Sequence, residues 1–124
     1  MELFVNCIFV GVGGMIGAIC RYLLGFLPFK PDNGFPVITF GINALGAFLI
    51  GAIVALSAKN SNIDPHLILL LKVGICGGFT TFSTFALESA GLIQNAQYLI
   101  SMTYILLSVI VCVSAVWAAQ ALLG

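Results

Sequence analysis

The stretch Gly77-Gly78-Phe79-Thr80-Thr81-Phe82-Ser83-Thr84-Phe85 lies in the middle of a segment that is otherwise apolar enough to cross a membrane. A double glycine weakens a helix, and lipid offers the freed backbone groups no replacement hydrogen bonds. Irregular backbone at membrane depth is tolerated where it is buried in protein or lines a cavity. The stretch therefore predicts a site inside a bilayer, built from hydroxyl groups and aromatic rings.

The composition of the whole chain places it among integral membrane proteins. Of its 124 residues, 61% are hydrophobic and only 6% are charged. A soluble domain carries about 25% charged residues. The formal net charge of zero argues against a nucleic-acid partner, and nothing in the sequence indicates another protein partner. We therefore predict an all-α protein whose partner is the lipid bilayer, with a single membrane domain over residues 1–124.

Four long apolar segments predict four membrane spans, because a spanning helix needs about 20 residues. We expect the spans at about 3–27, 35–58, 65–93 and 98–123. The third span is expected to be broken at its centre, near 76–80. No basic region precedes the first apolar run, so this run is expected to remain as a span and not to be a signal peptide.

The basic residues are balanced between the two predicted sides of the membrane. Lys59 and Lys72 fall on one side, and Arg21 and Lys30 fall on the other. This balance gives almost no positive-inside bias, so the chain can insert in both orientations. Two oppositely inserted copies can then pair about a two-fold axis in the membrane plane. The alternative is a single orientation set by other features.

The broken segment could bind ions of either sign. An interrupted helix frees carbonyl groups on one side of the break and N–H groups on the other. The carbonyls can replace the hydration shell of a bare cation such as Na⁺. The N–H groups and hydroxyls can hold an anion. The alternative is a packing notch at the glycines, with the hydroxyls bonded back to their own helix.

Aromatic rings and a buried amide accompany this segment. Phe79, Phe82 and Phe85 are spaced by three residues, so they lie on neighbouring sides of one helical face. Such a stripe can serve packing, or its electropositive ring edges can solvate a small anion. Asn43 carries two N–H donors inside the second span, where an unpaired amide costs about 2–7 kcal/mol. Its partner is therefore either an ion or a neighbouring helix.

The ionisable residues near the spans are few. Arg21, Lys72 and Glu88 are functional candidates by default, although each could lie at the interface with its charge in water. Arg21 continues the glycine row of Gly13 and Gly17 and is expected to make one mouth of the protein electropositive.

The spacing of the one histidine and the four cysteines does not predict a metal site. Tyr104, Ser108 and Cys112 share one face of the fourth span. His66 is interpreted as a solvated residue at a helix start. The cysteines show no CxxC spacing and are interpreted as small buried hydrophobic residues, not as a disulfide frame or zinc site; they are Cys7, Cys20, Cys76 and Cys112.

Three motifs in this order resemble the Fluc-type fluoride channel family, which comprises small dual-topology fluoride exporters. They are residues 13–22, with their Gly-Gly-Met-Ile-Gly-Ala start and Arg21-Tyr22 end, residues 43–48, and residues 74–85. The third motif is long and highly specific, whereas the first two alone would be weak signals. Four spans in a chain of this length extend the resemblance to the whole sequence.

The resemblance implies an antiparallel homodimer with two fluoride pathways, in the inner (cytoplasmic) cell membrane as a multi-pass protein. It implies that ring edges of Phe82 and Phe85, taken from both subunits, contact fluoride. The amide of Asn43 is implied to donate to the ion.

Further roles follow from the same resemblance. Ser83 and Thr84 match a polar track of hydroxyls on the third span, with Glu88 further along it and Tyr104 joining from the fourth. The backbone carbonyls of Gly77 and Thr80 match the ligands of a central structural sodium ion. Arg21 matches the basic residue at the vestibule.

The expected function is a fluoride-selective channel that passively exports fluoride and prevents its toxic accumulation. Fluoride is strongly hydrated, so N–H, O–H and ring-edge groups must replace its water. A fixed full charge at the narrowest point would hold the ion too long, since conduction needs weak, multi-site binding. The sequence shows no nucleophile–base pair, phosphate loop or metal-catalytic cluster, so an enzyme is not expected.

Two alternatives remain open on the sequence. A small four-helix multidrug transporter would need a carboxylate deep in a span. Glu2 is at the terminus, and Glu88 lies late in the third span. A membrane assembly subunit without transport activity would give no ion flux.

Overall fold

The protein is built from helices and connecting loops, without strands, in a computed structural model that describes residues 1–124. Four helical spans are long and apolar enough to cross a membrane. The first, second and fourth are single helices: α1 (Glu2–Leu24), α2 (Val37–Lys59) and α5 (Tyr98–Leu123). The prediction of an all-helical chain with four spans is confirmed.

The third span, Pro65–Gln94, consists of two helices joined by extended backbone. Helix α3 begins α-helical at Pro65–Ile68, continues as a π-helix over Leu69–Cys76, and ends α-helical at Gly77–Phe79. Helix α4 covers Phe82–Gln94. Between them, Thr80 has φ −81° and ψ 158°, and Thr81 has φ −149° and ψ 120°.

The two glycines that suggested the break do not form it. Gly77 is helical, with φ −64° and ψ −39°, and Gly78 follows it in the same helical turn. A Cβ atom added at Gly78 would lie only 2.9 Å from the Cα atom of Gly14. The interruption lies at Thr80 and Thr81, and Gly78 instead allows the first span to approach the third closely.

The row of small residues on α1 packs against α3. A Cβ atom at Gly13 would lie 2.8 Å from the Cα of Gly74, and one at Gly17 would lie 2.7 Å from the backbone nitrogen of Phe79. Small residues at this spacing let two membrane helices meet backbone to backbone. This contact holds the end of α3 in place, directly before the interruption.

Helix α5 packs on both α2 and α4. A Cβ atom at Gly51 of α2 would lie 2.7 Å from the carbonyl oxygen of Val116. On the other side, the hydroxyl of Ser101 donates to the carbonyl of Ser89 at 2.9 Å. The interruption in the third span lies beside both α2 and α5, which carry the candidate site residues Asn43 and Tyr104.

Two minor sequence interpretations need correction. Cys76 is buried and Cys112 is half-buried, but Cys7 and Cys20 are exposed on the outer face of α1. His66 is not simply solvated, because its ring stacks on Phe9 at 4.7 Å and its Nε2 lies 3.1 Å from Glu2 Oε1.

Candidate functional site

The amide of Asn43 completes the backbone hydrogen bonding at the interruption. Its Nδ2 donates to the carbonyl oxygen of Thr81 at 3.0 Å, and the N–H of Thr81 donates to its Oδ1 at 2.8 Å. One residue of the extended segment thus has both backbone groups satisfied by a side chain from α2. Because an unpaired buried amide or peptide group is costly, this contact stabilises the break and the position of Asn43 together.

Threonine hydroxyls satisfy further groups that the break leaves free. Thr81 is the N-cap of α4, where its Oγ1 accepts from the N–H of Thr84 at 3.1 Å. The same hydroxyl donates to Thr84 Oγ1 at 3.1 Å and lies 3.5 Å from Ser83 Oγ. Thr80 Oγ1 donates back to the carbonyl of Cys76 at 2.9 Å. The hydroxyls therefore bond partly to their own span, as the packing alternative required.

Arg21 binds the carbonyl end of α3. Its Nε donates to the carbonyl oxygen of Gly78 at 3.2 Å, and the residue is half-buried. The sequence predicts that Arg21 lies at an electropositive vestibule. In the single chain, Arg21 lines neither of the two main cavities described below. Within the single chain, the Arg21 side chain satisfies a carbonyl group close to the interruption.

Two carbonyl groups beside the break keep free lone pairs. The helical partner of the Gly77 carbonyl would be the N–H of Thr81, but that N–H donates to Asn43. The Thr80 carbonyl accepts no backbone hydrogen bond, and the N–H of Thr84 donates to a side chain instead. No cluster of three or more His, Cys, Asp or Glu side chains could hold a metal. A cation at this point would therefore depend on main-chain oxygens.

An open groove of about 450 Å³ runs past the interruption between α2, the third span and α5. None of its lining residues is charged, and most are apolar. They are Asn43, Gly46, Ala47, Ile50, Cys76, Gly77, Thr80, Thr81, Phe82, Phe85, Ser108, Val109, Cys112, Val113 and Val116. We call this the central groove. It brings together the predicted amide, both predicted phenylalanines and both predicted carbonyl residues.

The two phenylalanines of α4 differ sharply in exposure. Phe82 is 80% exposed in the single chain, whereas Phe85 is 9% exposed. Their ring centroids are 5.5 Å apart with an interplanar angle of 50°. Phe85 also meets the Tyr104 ring edge to face, at 5.1 Å. Phe85 is therefore fixed by its neighbours, while Phe82 projects from the groove.

Glu88 forms a hydrogen-bonded cluster with two hydroxyls from other spans. Thr39 Oγ1 donates to its Oε2 at 2.9 Å, and the Tyr104 hydroxyl donates to its Oε1 at 2.9 Å. Thr39 and Glu88 also line a second cavity of about 540 Å³, at the end of the bundle where Lys30 contributes the one basic side chain. We call this the end cavity.

The predicted site residues thus fall into two groups. The first group lines the central groove and consists of Asn43, Gly77, Thr80, Phe82 and Phe85. The second group, Glu88 and Tyr104, belongs to the cluster beside the end cavity. Glu88 lies about two helical turns after the break. Ser83 and Thr84 lie between these groups on the first turn of α4. Neither residue lines either of these cavities; Ser83 is exposed and Thr84 is half-buried.

Sequence reasoning did not assign two residues that the structure brings into the site. Thr81 was counted only as one of several hydroxyls, yet its backbone holds Asn43. Thr39 holds Glu88 across 49 positions of sequence. Thr39 lies one helical turn before Asn43 on the same face of α2, and this spacing is the sequence feature that could have indicated a role for it in the site.

Comparison with known proteins connects this arrangement to one family. Residues 8–120 match the family described as CrcB-like protein, Camphor Resistance (CrcB). Proteins named "Fluoride-specific ion channel FluC" are similar to this chain: that of Geotalea daltonii is 40% identical over 111 residues, covering 89% of this chain and 90% of the relative. That of Chlorobaculum tepidum is 44% identical over 101 residues, covering 81% and 79%. That of Agrobacterium fabrum is 40% identical over 119 residues, covering 95% of each.

The family match extends over nearly the whole chain, and the alignments to the three relatives named as channels cover 81–95% of it. This protein therefore belongs to the CrcB-like family, a family of membrane ion channels and not of enzymes.

Proposed function

We propose that this protein is a fluoride-selective channel that lets fluoride leave the cell passively and so prevents its toxic accumulation. The names of the relatives support the permeant ion. The observation that carries the proposal is the interrupted third span, whose polar groups meet an amide and two phenyl rings in one uncharged groove. Such a lining can replace the water of a small anion without trapping it by a full opposite charge.

Asn43 is the proposed principal donor. An amide nitrogen carries two N–H groups, and only one of them is used, in the bond to the Thr81 carbonyl. That bond fixes the orientation of the amide plane, so the second N–H is free to donate to an ion in the groove. A fixed donor loses less conformational entropy on binding an ion than a freely rotating one.

The phenyl rings are the proposed second solvating groups. The edges of Phe82 and Phe85 carry partial positive charge, because the ring quadrupole places negative charge on the faces. The high exposure of Phe82 in the single chain fits a ring that completes its surroundings with a second copy. Each fluoride pathway would then be lined by phenyl rings of Phe82 and Phe85 from both subunits.

A polar track is proposed to lead from the groove to the end cavity. It comprises Ser83, Thr84, Glu88 and Tyr104. The carboxylate of Glu88 would repel an anion, but two hydroxyls donate to it and disperse its charge. Lys30 at the end cavity offers an attractive charge at the mouth. Arg21, whose terminal nitrogens make no hydrogen bond within the chain, is proposed to contribute the same field at its vestibule.

A structural sodium ion is proposed at the carbonyls of Gly77 and Thr80. Both groups lack their helical partners for the reasons given above, and both residues line the central groove. Carbonyl oxygens of unwound membrane helices are suitable ligands for Na⁺. When bound, the ion would supply a positive field near the anion path without a basic side chain.

We propose that two copies pair in opposite orientations in the inner (cytoplasmic) membrane. The open central groove, the exposed Phe82 and the balanced loop charges all support this pairing. Two carbonyls per chain from two chains would surround one sodium ion on the two-fold axis. Pairing would also cover the groove from lipid, as polar groups at membrane depth require.

The drug-transporter alternative is less well supported. Proton-coupled drug export needs a carboxylate free to bind a cation in the membrane interior. Glu88 is instead engaged by Thr39 and Tyr104, and the central groove contains no carboxylate.

The proposed function is tested by fluoride efflux from liposomes that hold the purified protein, read with a fluoride-selective electrode. We expect rapid fluoride efflux, and chloride efflux no faster than from protein-free liposomes. Absence of fluoride efflux from a well-folded dimer would support the assembly-subunit alternative. Proton-coupled uptake of a quaternary ammonium dye would support the transporter.

A further inference from the structure

Two cysteines face the same groove from different helices. Cys76 ends the π-helical part of α3, and Cys112 lies in the middle of α5; both line the central groove. Both are free thiols, with Cys76 buried and Cys112 half-buried. The other two cysteines, Cys7 and Cys20, are exposed on α1 and do not line this groove.

An unpartnered hydroxyl lies beside these thiols. Ser108 is 6% exposed, and its Oγ has no hydrogen-bond partner. It lines the same groove, one helical turn before Cys112 on the same face of α5. A buried hydroxyl without a partner is uncommon and marks a place where a further ligand atom can be accommodated.

The chemistry of the lining favours a soft cation. The groove contains no basic side chain that would repel a cation, and the thiols of Cys76 and Cys112 are the sulfur groups in its lining. Thiolate sulfur selects soft metal ions such as Cu⁺ over hard ions. Ag⁺ shares this softness and, like Cu⁺, is satisfied by as few as two ligands.

We propose that the central groove is a binding site for a soft monovalent metal ion of the Ag⁺ or Cu⁺ class, bound through Cys112 with Cys76 as the second sulfur. On binding, the S–H bond of Cys112 breaks, its proton passes to water, and the sulfur lone pair forms the bond to the metal. No atom changes oxidation state, so no oxidant is needed. The bound ion occupies the groove beside Asn43 and Phe82 and blocks anion passage.

The binding part of this proposal is independent of the proposed channel function, whereas the block depends on it. Binding is measured in a Cys7→Ser/Cys20→Ser background, which removes the two thiols outside the groove. Protein in dodecylmaltoside is incubated with silver nitrate in chloride-free buffer, desalted, and analysed for silver per chain. We expect this background to retain silver and Cys112→Ser in the same background to lose it. Cys112→Ala serves as a second variant should the serine change perturb folding.

Retention of silver unchanged after both Cys112 substitutions would overturn the site. A reduced retention in Cys76→Ser would support its role as the second ligand, and unchanged retention there would exclude it from the site.

The block is measured as fluoride efflux in nitrate buffer with and without silver nitrate, each variant compared with its own untreated rate. We expect silver to suppress efflux in the background protein and to have no effect once Cys112 is replaced. Equal suppression in both would overturn the block. If untreated protein gave no efflux at all, the proposed function would fail while the silver-retention result would still decide the binding site.

Discussion

Asn43 and Thr81 exchange two hydrogen bonds, at 3.0 and 2.8 Å, across the 38 positions that separate them in sequence. This side-chain amide takes the place of the helical partners that Thr81 loses at the interruption. The same amide lies in the central groove. One residue of the second span thus joins the architecture of the break to the proposed ion path.

Replacing Asn43 with alanine is expected to affect both stability and transport. It leaves both backbone groups of Thr81 without their partner, at a cost of about 1–3 kcal/mol for each group that stays unsatisfied. If the donor lowers the barrier for permeation by about 1.4 kcal/mol, its loss reduces the flux about tenfold. Fluoride efflux and the thermal unfolding midpoint in detergent measure the two effects.

The matched control for this change is Asn62→Ala, because Asn62 is an exposed loop residue whose side chain makes no hydrogen bond. We expect it to retain wild-type efflux and stability. If Asn43→Ala behaved in the same way as this control, Asn43 could not be the principal donor.

Gly78→Ala is expected to disrupt the packing of the first span on the third. The added Cβ would meet the backbone of Gly14, which cannot rotate away as a side chain could. Overpacking of this kind costs about 1–3 kcal/mol or more. The expected result is a lower unfolding midpoint and a smaller fraction of monodisperse protein in size-exclusion chromatography.

Gly11→Ala provides the comparison, since a Cβ at Gly11 meets nothing within 4 Å. Alanine is also the better helix former by about 1 kcal/mol, so this variant should be at least as stable as the wild type. Equal behaviour of the two alanine variants would mean that the first and third spans are not in backbone contact at Gly78.

Tyr104→Phe is expected to weaken the cluster around Glu88. It removes the hydroxyl that donates to Oε1 at 2.9 Å, while the aromatic contact with Phe85 can persist. A hydrogen bond to a charged group contributes about 1.5–3 kcal/mol, so the unfolding midpoint should fall. The carboxylate, with less of its charge dispersed, should also slow fluoride efflux.

Tyr98→Phe is the same chemical change at an exposed position, where Tyr98 makes no side-chain hydrogen bond. We expect it to leave midpoint and efflux unaltered. A Tyr104→Phe protein with wild-type efflux would remove Tyr104 from the polar track, and one with a wild-type midpoint would remove its bond to Glu88 from the stabilising contacts.

The features that sequence alone predicted are those governed by local chemistry. Apolar segments of sufficient length indicate spans, because the bilayer sets the helix length. The high cost of an unpaired amide likewise predicted that Asn43 would have a partner. In both cases the physical requirement is contained in the residue or segment itself.

Features that depend on distant partners were predicted poorly. The glycine pair suggested the place of the break, but Gly78 serves a contact with Gly14 that only the folded chain reveals. The bond from Arg21 to the carbonyl of Gly78, 57 positions away, was likewise not predicted. No local pattern specifies which carbonyl a long, flexible side chain will reach, so these contacts required the structure.

The most direct measurement of the central claim is fluoride efflux from liposomes that hold the Phe82→Ile protein as an intact dimer. Isoleucine keeps an apolar side chain but lacks the electropositive ring edge. Phe4→Ile, at a residue that is 66% exposed on α1 and outside the central groove, is the matched control. We predict a strong loss of efflux for Phe82→Ile and none for Phe4→Ile; wild-type efflux from Phe82→Ile would contradict passage of the ion along this ring.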